Sequence, residues 1–269
     1  MRIASLSPAV TEILFALGAG KQIVCTDQFS NFPEEAKWIP HVRDMVKIDP
    51  VDVRVFQPEA VFLGTSIQTK LAEVLRAANF SVIHDDPRSI ADIYAWIRSI
   101  GVIVNREREA EDLIVRMQKG FSDVQKKAKM MNAGSAKCRL YIEEWPAVAP
   151  MTGAMAGKHS LPFASGNWVP EIARIAGGEQ FPVAPGALSP EVTLEQVEQW
   201  NPDLIIISWC GAGALASKEL LLNRTGLDRL TAVQRGNVKV IDDSLLNRPG
   251  PRLVEGAQRL YGWMFEMLH

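Results

Sequence analysis

Residues 53–66, VRVFQPEAVFLGTS, and residues 197–210, VEQWNPDLIIISWC, follow one pattern. Each leaves a helix end, passes a polar residue, a proline and an acid, and runs through an apolar stretch to small or polar residues. Pro58 and Pro202 stop a helix, because proline lacks the N–H that a helix needs and clashes with the preceding turn. The apolar runs that follow suit strands buried on both faces. Outward from these two stretches, further short β-branched runs recur between helical segments: RIASL (2–6), QIVCT (22–26), SVIHD (81–85), CRLYIEE (138–144) and VKVID (238–242). Strands of this kind alternating with helices predict an α/β fold with parallel sheets. The residues just beyond each strand then lie at its carboxyl edge, where open α/β sheets bind ligands.

Between the two sets of strands, Ile90, Ile93, Ile97, Ile100, Val104, Leu113, Met117, Phe121 and Val124 recur mostly at three- and four-residue steps. That periodicity predicts helix, with Ser89 as its N-cap. Unbroken, residues 89–131 would span roughly 60 Å at 1.5 Å per residue; Gly101 and Asn105 are the places where it would kink or break. The expected organisation is an N-terminal lobe (1–88), a connecting helix (89–131) and a C-terminal lobe (132–269).

Composition narrows the function classes. The 269 residues carry 29 basic and 31 acidic side chains, a formal charge of −2, which gives no electrostatic footprint for nucleic acid. No stretch approaches the ~20 apolar residues of a membrane span. The chain opens on a strand without a charged segment and apolar core in front of it, so as written it reads as cytoplasmic; removal of an upstream signal would make it periplasmic or lipid-anchored. Cys25, Cys138 and Cys210 lie far apart without C-x-x-C spacing, which favours neither a zinc site nor a disulfide framework. His41, His84, His159 and His269 are scattered, with no H-E-x-x-H pair.

The segment SLSPAVTEILFALGAG (5–20) opens a helix directly after the first strand. Ser7 is placed as N-cap and Pro8 at the first helical position, Glu12 suits the helix dipole, and Gly18 or Gly20 closes the helix in the left-handed conformation. Neither G-x-G-x-x-G nor G-x-x-x-x-G-K-[ST] accompanies it, and G-x-S-x-G is missing. A phosphate cradle and a hydrolase elbow therefore give way to one wall of a ligand cleft.

Taken in order, SLSPAVTEILFALGAG, DQFSNFPEEAK, QPEAVFLG, the central helix, SGNWVPEIARIAGGEQ, EVTLEQVEQWNPDLIIIS and LNRPGPRLVEGAQRL resemble the substrate-binding proteins of iron-complex and cobalamin ABC importers over nearly the whole chain. The likeness runs towards a branch described as cobalamin-binding proteins, several of which start without an export signal. It implies the class III periplasmic-binding-protein fold: two Rossmann-like lobes bridged by one rigid helix, with the ligand at the interlobe cleft. It also implies a monomer without intrinsic cofactor or membrane insertion, carrying cobalamin, haem or a ferric siderophore as transported ligand to an ABC permease.

On that resemblance, Phe29 falls at an aromatic ligand contact, and Ser7, Pro8, Gly64, Thr65 and Ser66 lie at strand ends of the first lobe. Trp145, Trp168 and Trp209 are placed across the cleft. Of the seven tryptophans, Trp38, Trp96, Trp200 and Trp263 are read as structural; a Trp ring buries ~150–250 Å² and suits either role. Arg248, in NRPGPR with Arg252, either meets a ligand carboxylate, amide or phosphate oxygen or pairs with a nearby acid. For docking, Glu195 aligns with the family's second-lobe glutamate. Val51 stands where its first-lobe glutamate would fall, with Asp49 or Asp52 as substitutes. Asp44 and Gly64 sit near positions where the cobalamin binder has tryptophans, so ligand identity does not carry over. His159 is either an axial ligand of a corrinoid or haem metal or an exposed loop residue. Two other readings stand beside the importer component: a cytoplasmic carrier or sensor without a permease, and an enzyme of the tetrapyrrole-metal chelatase kind.

Overall fold

The structure, a computed structural model, describes residues 1–133, 136–147 and 161–268. The chain divides into two compact units, Met1–Arg116 with Pro249–Pro251, and Met117–Arg248 with Arg252–His269. Among the described residues, each unit holds one five-stranded sheet.

In the first unit, β1 (Ile3–Ser5), β2 (Ile23–Asp27), β3 (His41–Val42), β4 (Ala60–Gly64) and β5 (Val82–Asp85) are all parallel, in the order β3-β2-β1-β4-β5. Every residue of β1 and β4 is buried, as the unbroken apolar runs require. Helices α1 (Pro8–Ala16), α2 (Pro50–Arg54), α3 (Thr69–Ala77) and α4 (Ile90–Ile103) follow or connect the strands. In the second unit, β6 (Arg139–Trp145) pairs in parallel with β8 (Glu179–Gln180) and β9 (Leu204–Ile207), and β9 with β10 (Val238–Val240). β7 (Phe163–Ala164) is antiparallel to β6. The helices here are α6 (Val169–Ile175), α7 (Leu194–Trp200), α8 (Lys218–Leu222), α9 (Thr231–Gln234) and α10 (Leu253–Leu268), while α5 (Glu107–Met131) crosses the division at Arg116.

The repeated helix-Pro-strand pattern has a shared backbone basis. Gln57 (φ 47°) and Asn201 (φ 46°) are both left-handed, and each stands directly before its proline. From there β4 joins β1, and β9 joins β6, through matching hydrogen bonds: Glu59 N donates to Arg2 O (2.8 Å), and Asp203 N to Arg139 O (2.8 Å). The order β2-β1-β4-β5 of one sheet thus recurs as β8-β6-β9-β10 in the other.

Residues 89–131 do not form the single helix expected. Ser89 does cap α4, in a reciprocal box with Asp92. The helix then ends at Asn105 (φ 54°), where Arg106 N donates to Gly101 O (2.7 Å) and Asn105 N to Val102 O (3.3 Å). This is a Schellman closure with Asn in the left-handed position. Gly101 makes the corner possible, since a Cβ there would come 2.6 Å from the Ala110 Cβ. The 25 residues of α5 alone cover about 37 Å.

Gly166, between β7 and α6, shows how tightly the second unit is threaded. A Cβ on it would lie 2.6 Å from Ala187 O and 2.7 Å from Ser189 N, both backbone atoms with no side-chain freedom to yield. Gly166→Ala is expected to destabilise the protein by about 2–3 kcal/mol in denaturant unfolding, the scale of an overpacked core.

Candidate functional site

At the carboxyl edge of the first sheet, Ser7 follows β1, Phe29 follows β2, and Thr65 and Ser66 follow β4. Thr65 is β-branched yet has φ 63° and ψ 161°, a conformation that few non-glycine residues adopt. Its backbone is held on both sides: N donates to Asp85 O (2.9 Å), and O meets His84 Nε2 (2.8 Å). The Ser66 N–H is received by Asp86 Oδ1 (2.7 Å), and Asp86 is paired with Arg88.

Two polar devices stiffen this edge. Gln68, fully buried, accepts from Gly64 N (2.7 Å) and donates to Leu6 O (2.6 Å) and Met45 O (2.7 Å), tying β1, β4 and the loop after β3 together. A chain of buried hydroxyls runs from Ser5 to Thr11 (2.7 Å), to Ser30 (2.9 Å) and on to Asp27 Oδ2 (2.6 Å), while Phe29 N donates to Asp27 Oδ1 (2.7 Å). Asp44, at φ 67°, folds its carboxylate onto the N–H groups of Met45 and Val46. Burial pushes that carboxyl up, but the backbone donors and Lys47 outweigh it and hold it below the ordinary range.

α1 corrects two details of the sequence reading. Ser7 has the extended conformation of an N-cap and Pro8 follows it, but the Ser7 side chain makes no cap hydrogen bond. Gly18 (φ 72°) closes the helix, with Ala19 N donating to Leu14 O (2.8 Å); Gly20 instead begins a 3₁₀ turn.

At the carboxyl edge of the second sheet, acids cluster. Glu143, buried on β6, accepts both guanidinium forks of Arg224 (2.7 and 2.8 Å), the Trp209 Nε1–H (2.8 Å) and the Tyr141 hydroxyl (3.1 Å). Its neighbour Glu144 accepts from Ser189 Oγ and, at 3.5 Å, from Cys210 Sγ. Asn247 donates to Ser208 O (2.7 Å) and Cys210 Sγ (3.0 Å). Asp243 fills a backbone nest, accepting from Gly211 N (3.0 Å) and Gly213 N (2.8 Å), with the Arg248 charge near enough to favour its ionised form. Burial nevertheless pushes both the Glu144 and Asp243 carboxyls up. Burial, then the charges of Glu144 and Asp243, pushes up the Cys210 thiol. Burial alone raises Cys25 to about 12, and it is the largest cause of the same value at Cys138.

Two expected aromatic contacts turn out to be core. Trp209 is 1% exposed among Tyr141, Phe181, Val197, Ile205 and Ile207, with its N–H used by Glu143 and the Arg224 guanidinium 5.7 Å from its ring centroid. Trp168 is buried at the start of α6, and its Nε1 donates to Leu246 O (2.7 Å). Each ring has its polar atom satisfied within its own unit, the mark of a structural tryptophan. Trp145 and Phe29 remain half-buried at strand ends. Trp38, read as structural, stands 82% exposed on a 3₁₀ turn before β3. Pro8 and Gly64 are buried; Ser66 and Arg248 are half-buried. Glu195 is exposed in the first turn of α7, held below the ordinary carboxylate range by its own backbone N–H and the Thr193 hydroxyl. Asp52 is exposed in the first turn of α2, whereas Asp49 is the helix's N-cap, accepting from Val51 N (2.9 Å). His159 lies outside the described residues. Among the described residues no group of three or more metal-ligating side chains converges, and no helix is long and apolar enough to cross a membrane.

Two outcomes follow from the polar devices. Gln68→Leu strands one N–H and two carbonyls, so a loss of about 3 kcal/mol or more is expected in denaturant unfolding, against about 1 kcal/mol for an ordinary hydrogen bond. For Glu144 the folded pKa is raised, so the folded chain keeps a proton that the unfolded chain releases first. Its contribution is intact below the ordinary carboxylate range, roughly pH 4, and is lost as pH rises towards the folded value. Melting temperature followed from pH 4 to 8 should fall less steeply in Glu144→Gln than in the parent, with the residual slope carried by Asp243; parallel slopes would show that Glu144 is not raised.

Residues 3–245 match the family described as periplasmic binding protein. An uncharacterized ABC transporter substrate-binding lipoprotein of Bacillus subtilis, YvrC, is 29% identical over 96% of this chain and 78% of its own length. The vitamin B12-binding protein of Pectobacterium atrosepticum is 24% identical over 99% of this chain and 89% of its own. The apo periplasmic heme-binding protein RhuT of Roseiflexus sp. RS-1 has the same fold, with a TM-score of 0.83 at 20% identity over 100% of this chain and 99% of its own. The α/β fold read from the strand runs, its two sheets with their matching strand orders, and a family match across most of the sequence agree: the chain belongs to the periplasmic binding protein family.

Proposed function

We propose that this protein binds a metal-chelate ligand, a corrinoid, haem or ferric chelate, without chemical conversion, and delivers it to an ABC importer from the outer side of the membrane. The observation that carries the reading is the strained Thr65 at the carboxyl end of β4, between Gly64 and Ser66 and held by Asp85 and His84. Strain fixed by surrounding bonds collects at ligand sites, and the carboxyl edge is where sheets of this kind bind. The names of the B12- and heme-binding relatives support the ligand class. In this reading Ser7, Pro8, Phe29, Gly64, Thr65 and Ser66 are ligand contacts of the first unit and Trp145 and Arg248 those of the second, where Trp168 and Trp209 belong to the scaffold.

Docking to the permease is assigned to Glu195 on α7 and Asp52 on α2, both exposed in the first turn of a helix. In the internal repeat Val51, 66% exposed, occupies the sequence position that corresponds to Glu195. That apolar substitution favours a second reading, a carrier that works without a permease.

Titration of the protein with hydroxocobalamin, haemin and a ferric siderophore, followed by tryptophan fluorescence, tests the ligand class. Saturable quenching by one of the three is expected, and Trp145→Ala should weaken it roughly tenfold, the worth of about 1.4 kcal/mol of aromatic contact. Trp209→Ala should instead lower the melting temperature. If none of the three ligands binds, the reading is wrong.

A further inference from the structure

We propose that the N-terminus of α1, with the Ser7 hydroxyl beside it, is a subsite for an anionic oxygen of the ligand, a carboxylate or a phosphate. The inference deepens the ligand-binding reading and depends on it for the rest of the ligand. It begins with the donors of the first helical turn. Pro8 has no N–H, and Thr11 N donates back to Ser7 O (2.9 Å). The Ala9 and Val10 N–H groups between them meet no acceptor among the described residues. The first N–H groups of any helix lack intrahelical partners; in α4 and α7 the hydroxyls of Ser89 and Thr193 turn back to satisfy one of them.

Ser7 does not do this. It is 5% exposed, and its hydroxyl has no hydrogen-bond partner among the described residues. A hydroxyl that does not turn back onto its own helix is available to a ligand. The hydroxyl lies towards the carboxyl end of β4, where a Cβ on Gly64 would come within 2.8 Å of Ser7 Oγ. Every neighbouring polar group has its own use: Ser5, Thr11 and Ser30 form the chain to Asp27, and Gln68 receives Gly64 N. The three unused donors of this corner are therefore Ser7 Oγ–H, Ala9 N–H and Val10 N–H.

Three donors at the positive end of a helix dipole select an acceptor, and among acceptors a negatively charged oxygen. Two sources fit the proposed ligand class: the carboxylates of a tetrapyrrole or ferric chelate, and the phosphate of a corrinoid's nucleotide loop. Gly64 keeps the space open on the strand side, so a methyl group there would press on the same hydroxyl.

The test reads the subsite apart from the macrocycle. Backbone amide ¹⁵N–¹H shifts of Ala9 and Val10 are followed while sodium acetate or inorganic phosphate is titrated into the full chain. Saturable shifts at both amides are expected. Ser7→Ala and Gly64→Ala should each weaken them at least fivefold and Ser7→Thr should keep them, with melting temperatures recorded to show that each variant is folded. A second arm compares haemin with its dimethyl ester and cobalamin with cobinamide, which lacks the phosphate. Removing the anion from whichever parent binds should cost the wild type about tenfold in affinity and Ser7→Ala little. Amides that ignore both anions, or that respond equally in wild type and Ser7→Ala, overturn the subsite whatever the macrocycles do. Amides that respond while no macrocycle or ferric siderophore binds leave the subsite standing and overturn the ligand class.

Discussion

A left-handed residue followed by proline is the constraint on which both units turn. At Gln57-Pro58 and Asn201-Pro202 the chain leaves a helix and is aimed, three residues on, into a strand that is paired on both sides, β4 or β9. Proline forbids the helix from continuing, and the left-handed residue before it supplies the reversal that an extended or right-handed residue would not. With β4 and β9 launched in this way, their carboxyl ends fall beside those of β1 and β6. The polar residues that follow are brought together there by geometry, without any local motif.

That explains what was legible in the sequence. The seven apolar runs correspond to β1, β2, β4, β5, β6, β9 and β10, of which β1, β4 and β9 are buried along their whole length, as strands covered on both faces must be. β3, β7 and β8 are two residues each, too short for any periodicity to register. The helical stripe from Ile90 to Val124 survives the break at Asn105 because α4 and α5 each present an apolar face, so periodicity alone reads as one rod. Only the Schellman bonds around Gly101 and Asn105 separate the two.

The site was less legible because its key pairs are remote in sequence. Glu143 and Arg224 are far apart in the chain, and Gln68 reaches Leu6 and Met45 from another element. Nothing local marks them. Trp209 misled for the opposite reason: it sits directly after a strand, where ligand contacts are expected, but Arg224 and Glu143 claim its ring and its N–H. Removing Arg224 alone would leave a carboxylate buried, the costly half of a buried ion pair. The pair therefore commits Trp209 to the scaffold.

The two carboxyl edges are built with different chemistry. The first ends in neutral hydroxyls relayed to Asp27, in the Gln68 clamp, and in Asp44 and Asp86, which accept backbone N–H groups; the second carries Glu143, Glu144 and Asp243 within a few residues of its strand ends. In both, backbone and side-chain bonds are made within the chain itself, so the groups that face outward from these edges are positioned before any ligand arrives. Ordering flexible side chains on binding costs roughly 0.5–1.5 kcal/mol each. Thr65 is the sharpest case: its unfavourable φ is imposed by Asp85, His84 and the Asp86–Arg88 pair, and folding has already met that cost. A site assembled in this way leaves its binding energy to the ligand's own groups.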